Sequence, residues 1–214
     1  MPRLSPDGEE AIRRAMQGEK AMRRPRYYAG IGSRKTPRSV LRVMTECART
    51  LSAMGYTLRS GGAPGADTAF ELGAGTRKEI FLPWRGFRKP LVGYDIVVPD
   101  MKPAMDLAAQ FHPTWERLNR AARLLIARNG YQILGANLRE PVDFVLCWTR
   151  HGMWGGGTGQ AIRIAMRHGI GIYDLGWRME LPEVLRHAQK RILADKTKSS
   201  SNDKNNNKNK NALA

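Results

Sequence analysis

Cysteine is scarce in this chain: two residues among 214 cannot build a disulfide framework. Cys47 falls in a helical pattern and Cys147 in a strand-like run, both among apolar neighbours, so they read as reduced core thiols. The four histidines, His112, His151, His168 and His187, have no ligand spacing, which argues against a metal site. No run approaches the ~18 consecutive apolar residues of a membrane span, so no membrane partner is expected. The opening Met1-Pro2-Arg3-Leu4-Ser5-Pro6-Asp7 lacks the apolar centre of a signal peptide, and the expected location is the cytoplasm. Acidic residues are the other shortage, with 19 Asp and Glu against 36 Lys and Arg and a net charge of +17.

Where that charge sits matters more than its size. Residues 196–214 carry five Lys and one Asp, and residues 1–26 carry seven Lys and Arg and four acids. The remaining 24 basic and 14 acidic residues fall within residues 27–195. A folded core this basic favours polyanions through counterion release and long-range attraction, although the same excess serves solubility or an acidic protein partner. The Asn- and Lys-rich tail has almost nothing apolar to bury and is expected to be disordered, either as a weak electrostatic arm or as a solvated end. At the other end, residues 1–26 offer one short amphipathic stretch, residues 9–21, and read as peripheral. One folded domain is therefore expected over residues 27–195, between a peripheral segment and a tail.

Two glycine-rich segments stand out against this background: Ser60-Gly61-Gly62-Ala63-Pro64-Gly65-Ala66-Asp67 and Gly155-Gly156-Gly157-Thr158-Gly159-Gln160. Each lies between a strand-like and a helix-like run, where close backbone approach and free helix N–H groups suit a phosphate. Tyr27-Tyr28-Ala29-Gly30-Ile31-Gly32 reads as a first buried strand, and Ser33 with Pro37 as the start of a helix running to Met54 before Gly55. Further strands are expected at residues 56–60, 79–83, 143–148 and 169–174, and helices at residues 66–72, 103–111, 114–129 and 160–168. The segment between Trp84 and Pro113 reads as an irregular excursion. Alternation of this kind predicts an α/β fold: a doubly wound, mainly parallel Rossmann-like sheet of about five or more strands with helices on both faces. The two loops, leaving neighbouring strands, would then converge on one crevice.

Several residues near that crevice have two readings. Ser33 and Arg34 suit a phosphate, Arg34 bidentately, or form a solvated loop. Asp67 reads as a ribose ligand or as a cap on its own helix. With Glu71 one turn on, it forms either a carboxylate pair for glycosidic chemistry or part of a helix surface. Arg59 reaches the same anion or crosses the sheet. Thr158 offers a hydroxyl to phosphate, and Gln160 a contact to base or ribose. Asn129, Gln132 and Asn137 are candidates for the pocket rim, with helix capping an alternative for Asn129. Among the tryptophans, Trp148 reads as core and Trp154 as an exposed stacking platform, with Trp84 a further candidate. Arg117, Arg120, Arg123 and Arg128 mark either a phosphate track or a solvated helix face. No motif calls for a cofactor.

Gly30-Ile31-Gly32-Ser33-Arg34, the first glycine loop and Gly156-Gly157-Thr158-Gly159-Gln160-Ala161-Ile162-Arg163-Ile164-Ala165 resemble the SLOG superfamily of Rossmann-like nucleotide-ligand proteins. Within it, the similarity is greatest to DprA/Smf-like proteins, particularly the compact bacteriophage versions. Phe111-His112-Pro113, Ala127-Arg128-Asn129, Gln132-Ile133-Leu134-Gly135 and Asp143-Phe144-Val145-Leu146-Cys147-Trp148-Thr149 add to the phage likeness, which covers roughly residues 27–175. The resemblance implies a phage or bacterial source and a site holding nucleotide or single-stranded DNA. That site would use Gly32, Ser33, Arg34, Ser60, Gly61, Gly62, Gly65, Asp67, Gly156, Gly157, Thr158, Gly159 and Gln160. Homodimers are common among such proteins. The LOG branch instead hydrolyses nucleoside monophosphates with a Glu in its second loop, where this chain has Thr158-Gly159-Gln160-Ala161-Ile162. Hydrolysis here would need Asp67 or Glu71 in its place. Other members sense nucleotide-derived signals, a third reading.

Overall fold

Tyr27–Gly32 forms the first strand, β1, buried along four of its six residues, as a strand covered on both faces requires. This is seen in a computed structural model that describes residues 25–87 and 95–177 together with residues 182, 184–186, 188–190 and 192–194. The helix expected over residues 9–21 and the tail 196–214 lie outside the described residues. The chain divides into two compact units, Arg26–Gln189 and a second made of Met1–Pro25 with Lys190–Ala214. Every element named below belongs to the first.

After β1 come helix α1 (Arg38–Ala53), strand β2 (Thr57–Ser60), helix α2 (Ala66–Ala74) and strand β3 (Lys78–Phe81). Strand β4 (Asp95–Val97) and helix α3 (Met101–Phe111) follow, then helix α4 (Arg120–Leu134), strand β5 (Phe144–Trp148), helix α5 (Gly156–Arg167) and strand β6 (Gly171–Asp174). All six strands pair parallel in the order β4-β3-β2-β1-β5-β6, which makes the fold Rossmann-like α/β.

Alternate β1 residues serve opposite faces. Gly30 lies so close to Phe70 of α2 that an added Cβ would come within 2.6 Å of its ring. On the same face Tyr28 packs in an aromatic cluster with Tyr56, Phe70 and Phe144, whose ring centroids lie 5.5 to 6.5 Å apart. Ala29 and Ile31 pack instead with Ile133 and Leu134 of α4 and Ala161, Ile162 and Ile164 of α5. Helices thus cover both faces.

Several features depart from the expectations above. Strand β4 sits inside the segment read as irregular, because three residues at a sheet edge are too short to show a period. Helix α4 begins six residues late and ends five residues late relative to residues 114–129. Trp115–Arg117 is a separate 3₁₀ turn, and Asn119 caps α4 by accepting from the Ala122 amide at 2.9 Å. Finally, β2 and β5 are not neighbours, since β1 stands between them.

Candidate functional site

The strand order reverses direction at β1 and β5, whose carboxyl ends lie side by side with Gly32 in register with Trp148. A cleft opens where their following loops diverge, as expected at a switch point in such a sheet. It encloses about 690 Å³. Gly32, Ser33, Arg34 and Lys35 line one side, and Trp148, Thr149, Arg150, Met153 and residues 155–158 the other. Ala122, Leu125 and Ile126 of α4 add an apolar wall, while Ile31, Ala63, Asp67, Arg128 and Asn129 complete the lining.

Helix α5 begins within the second glycine loop, four residues earlier than expected, so its first turn is itself glycine-rich. Gly155 occupies the N-cap position without a side-chain cap, and no acid lies in the first turn. The leading amides therefore have no carboxylate competing for them and present the positive end of the helix to the cleft. Asn129 fixes this loop from α4 by donating its Nδ2 to the Gly157 carbonyl at 2.7 Å. It works from mid-helix and caps nothing.

Arg128 parts company with the other arginines of its run, and its burial removes the solvated-face reading there while leaving the phosphate one open. Grouped with Arg117, Arg120 and Arg123 as part of one charged stripe, it is 7% exposed, while Arg117 and Arg120 are on the surface. The later register of α4 turns it toward the first glycine loop, where Nη1 donates to the Gly61 carbonyl. Its Nη2 lies 3.7 Å from Asp67 Oδ2, and its Nε has no hydrogen-bond partner among the described residues. Burial holds the guanidinium below its ordinary pKa; Asp67 opposes that shift and Arg34 adds to it by repulsion. Two cations thus line one cleft and repel each other, and the buried one has an unpartnered Nε. An anion between them would relieve that repulsion.

The first glycine loop does different work from the second. Gly61 makes room for the Arg128 guanidinium, which an added Cβ would meet at 2.2 Å. Gly62 and Gly65 have φ of +68° and +90°, and a Cβ on Gly65 would come within 2.7 Å of the Ser33 carbonyl. A Cβ on Gly32 would fall 2.5 Å from that of Ala66, so β1 and α2 also meet closely. Ser60 is fully buried and donates to the Gly30 carbonyl at 2.9 Å. Of this loop and the start of α2, the cleft receives Ala63 and Asp67. Asp67 accepts from the Ala63 amide at 3.1 Å and so braces the loop; α2 has no side-chain cap.

Other positions depart from the roles expected of them, some of them outside the cleft. Ser33 does not cap α1, whose N-cap is Pro37; its hydroxyl accepts from the Lys35 amide at 3.0 Å. Gln160 is fully buried, donating to the Ala108 carbonyl and accepting from Arg163, so it braces α3 against α5 instead of reading a base. Gly159 packs on the Trp154 carbonyl, 2.1 Å from where its Cβ would be. Arg59 crosses to a second cavity of about 510 Å³, lined with Glu79, Asn137 and Glu140, and pairs there with both carboxylates. Glu71 is 3% exposed and outside the cleft lining, and Gln132 is fully buried with no hydrogen-bond partner among the described residues. Trp154 is 43% exposed but does not line the cleft, whereas Trp148, assigned to the core, does. Trp84 packs edge-on against Phe87.

Among the described residues no three His, Cys, Asp or Glu side chains gather in a way that would hold a metal, and no helix is long and apolar enough to cross a membrane. No family model matches the chain, and no curated protein sequence does. Among solved structures, the chain is similar to DNA processing protein A from Helicobacter pylori, described for its single-stranded DNA binding mode. The identity is 20%, with 72% of this chain and 67% of that one covered at a TM-score of 0.50. A second similarity is to the Moco carrier protein of Chlamydomonas, at 16% identity over 72% of this chain and 77% of that one, with a TM-score of 0.44. At these identities the likeness is one of fold: the chain has the Rossmann-like architecture that the DNA processing protein also uses.

Proposed function

We propose that the chain binds the phosphate of a nucleotide or of single-stranded DNA in the cleft between the β1 and β5 loops. The observation that carries this reading is the convergence of Arg34 and the buried, incompletely satisfied Arg128 on a cleft bordered by the uncapped N-terminus of α5. Lys35 and Arg150 add charge at the rim, and the apolar wall of Ala122, Leu125 and Ile126 offers a surface to a base or sugar. Single-stranded DNA binding by the Helicobacter protein, which shares the fold, supports nucleic acid as the source of the phosphate. Arg117 and Arg120, exposed just before and at the start of α4, would extend contact along a strand. On this reading the chain would serve DNA processing or recombination, acting with a protein partner or as a homodimer.

The hydrolytic alternative has less behind it. Among the described residues Asp67 is the one carboxylate lining the cleft, and it is engaged with the Ala63 amide, while Glu71 lies outside. A two-carboxylate mechanism lacks its second member there.

The test is fluorescence polarisation of labelled single-stranded DNA with the full chain, across a salt series, with AMP as competitor. Gly157→Asp is the informative variant: the nearest atom to a new Cβ is Asn129 Nδ2 at 3.5 Å, and an acid in the first helical turn suits the helix dipole. The fold should survive while the new carboxylate repels phosphate, weakening binding about tenfold or more. Unchanged affinity in a folded variant would remove the cleft from consideration. Gly62→Asp cannot serve, because at φ +68° its side chain would press on Leu82 at 2.9 Å.

A further inference from the structure

We infer that the cleft takes a phosphomonoester, either a phosphorylated strand end or a mononucleotide, rather than a phosphodiester within a strand; this rests on the phosphate reading above. Depth is the first reason. The floor residues Ala63, Asp67 and Arg128 are 9%, 2% and 7% exposed, whereas Arg34, Lys35 and Arg150 at the mouth are exposed. A group that reaches the floor must lead its chain inward, which a terminal phosphate does. An internal diester has sugar on both sides and meets the rim first.

Charge is the second reason. Among the described residues four cations, Arg34, Lys35, Arg128 and Arg150, line the cleft against the single carboxylate of Asp67. A diester brings one negative charge, whereas a monoester brings about −1.5 to −2 and three terminal oxygens. Donor number is the third. The leading amides of α5, the hydroxyls of Ser33 and Thr158 and the unpartnered Nε of Arg128 together exceed what the two non-bridging oxygens of a diester accept comfortably. A third oxygen gives these donors an acceptor at the closed end.

The experiment compares one short single-stranded oligonucleotide in three forms, 5′-phosphorylated, 3′-phosphorylated and unphosphorylated, against the full chain and Gly157→Asp, with AMP and inorganic phosphate as competitors. One phosphorylated form is expected to bind about tenfold or more tighter than the unphosphorylated strand, a difference of the size charge-assisted hydrogen bonds give. AMP should compete, and Gly157→Asp should erase the difference while leaving weak, salt-sensitive binding. Preference for the 5′ or the 3′ form identifies the strand end, and binding by AMP alone identifies a mononucleotide site; each supports the inference. Equal binding of all three strands, lost in Gly157→Asp, overturns the monoester inference and leaves the phosphate cleft standing. Strand binding untouched by Gly157→Asp, or no binding of any phosphate probe, overturns both.

Discussion

At the residue scale the cleft turns on Arg128. A guanidinium 7% exposed, with one donor on the Gly61 carbonyl and another 3.7 Å from Asp67, is stabilised less than its burial costs, and Arg34 worsens the balance. Arg128→Met keeps the length and apolar stem of the side chain and removes the charge. Its thermal stability should fall, because buried Asp67 loses its cation and the Gly61 carbonyl its donor, while nucleotide affinity falls by about 10- to 100-fold, the loss expected for charged hydrogen bonds worth about 1.5–3 kcal/mol. Calorimetric titration with AMP beside a melting curve checks both halves, and retained affinity would show that Arg128 only braces the loop. Nothing in the local pattern of Arg117, Arg120, Arg123 and Arg128 distinguishes the buried member. The difference comes from the capping of α4 at Asn119 and from which turn then meets Gly61.

At the scale of elements, two loops of similar composition have separate tasks. The Ser60-to-Asp67 loop uses its glycines to bring β1, α2 and α4 together, with positive φ at Gly62 and Gly65 and near-contact at Gly61. In the second loop, Gly155 and Gly156 stand in open space and Gly157 touches only Asn129 within 4 Å. Alanine substitution separates these roles. Gly62→Ala should lose about 1–3 kcal/mol of stability through a strained backbone and crowding of Leu82, whereas Gly157→Ala should be neutral or slightly stabilising in its helix. Denaturant unfolding of the two variants side by side provides the measurement. Equal losses would mean that both loops are structural. The elements themselves were largely legible, because β1, α1, β2, β5 and α5 carry clear apolar periodicity and glycine punctuation. Strand β4 was not, since Asp95–Val97 is shorter than any period it could display.

On the scale of the whole molecule, the described unit closes around thiols that never meet water. Cys47 and Cys147 are both fully buried and free, the first on α1 and the second on β5. Burial pushes the Cys47 thiol from its ordinary 9.0 to about 12, and the Cys147 thiol well up, with the Asp174 charge adding to the second shift. Folded-state values above the unfolded ones mean that stability from these groups is fully present below pH 9 and declines as the pH rises past it. Only the unfolded chain can then release their protons. Unfolding free energy should therefore fall with pH above about 9, and less steeply in a Cys47→Ala, Cys147→Ala double variant. Alkylation at pH 8 should leave both thiols unmodified until denaturant is added, and rapid labelling of the native protein would contradict the packing.

Sequence alone determined the layer architecture. Strands buried on both faces, separated by amphipathic helices and glycine turns, have few packings open to them beyond a parallel sheet wound on both sides. It also determined where the backbone is free to meet an anion, since glycine's missing Cβ is a local property. Tertiary structure decided which of those residues share a cavity. The crossover that places β5 beside β1 sets the second glycine loop against Ser33 and Arg34, and the register of α4 sends Arg128 into the cleft and leaves Gln132 buried and outside it. Those outcomes depend on contacts between residues far apart in the chain, which no local period records.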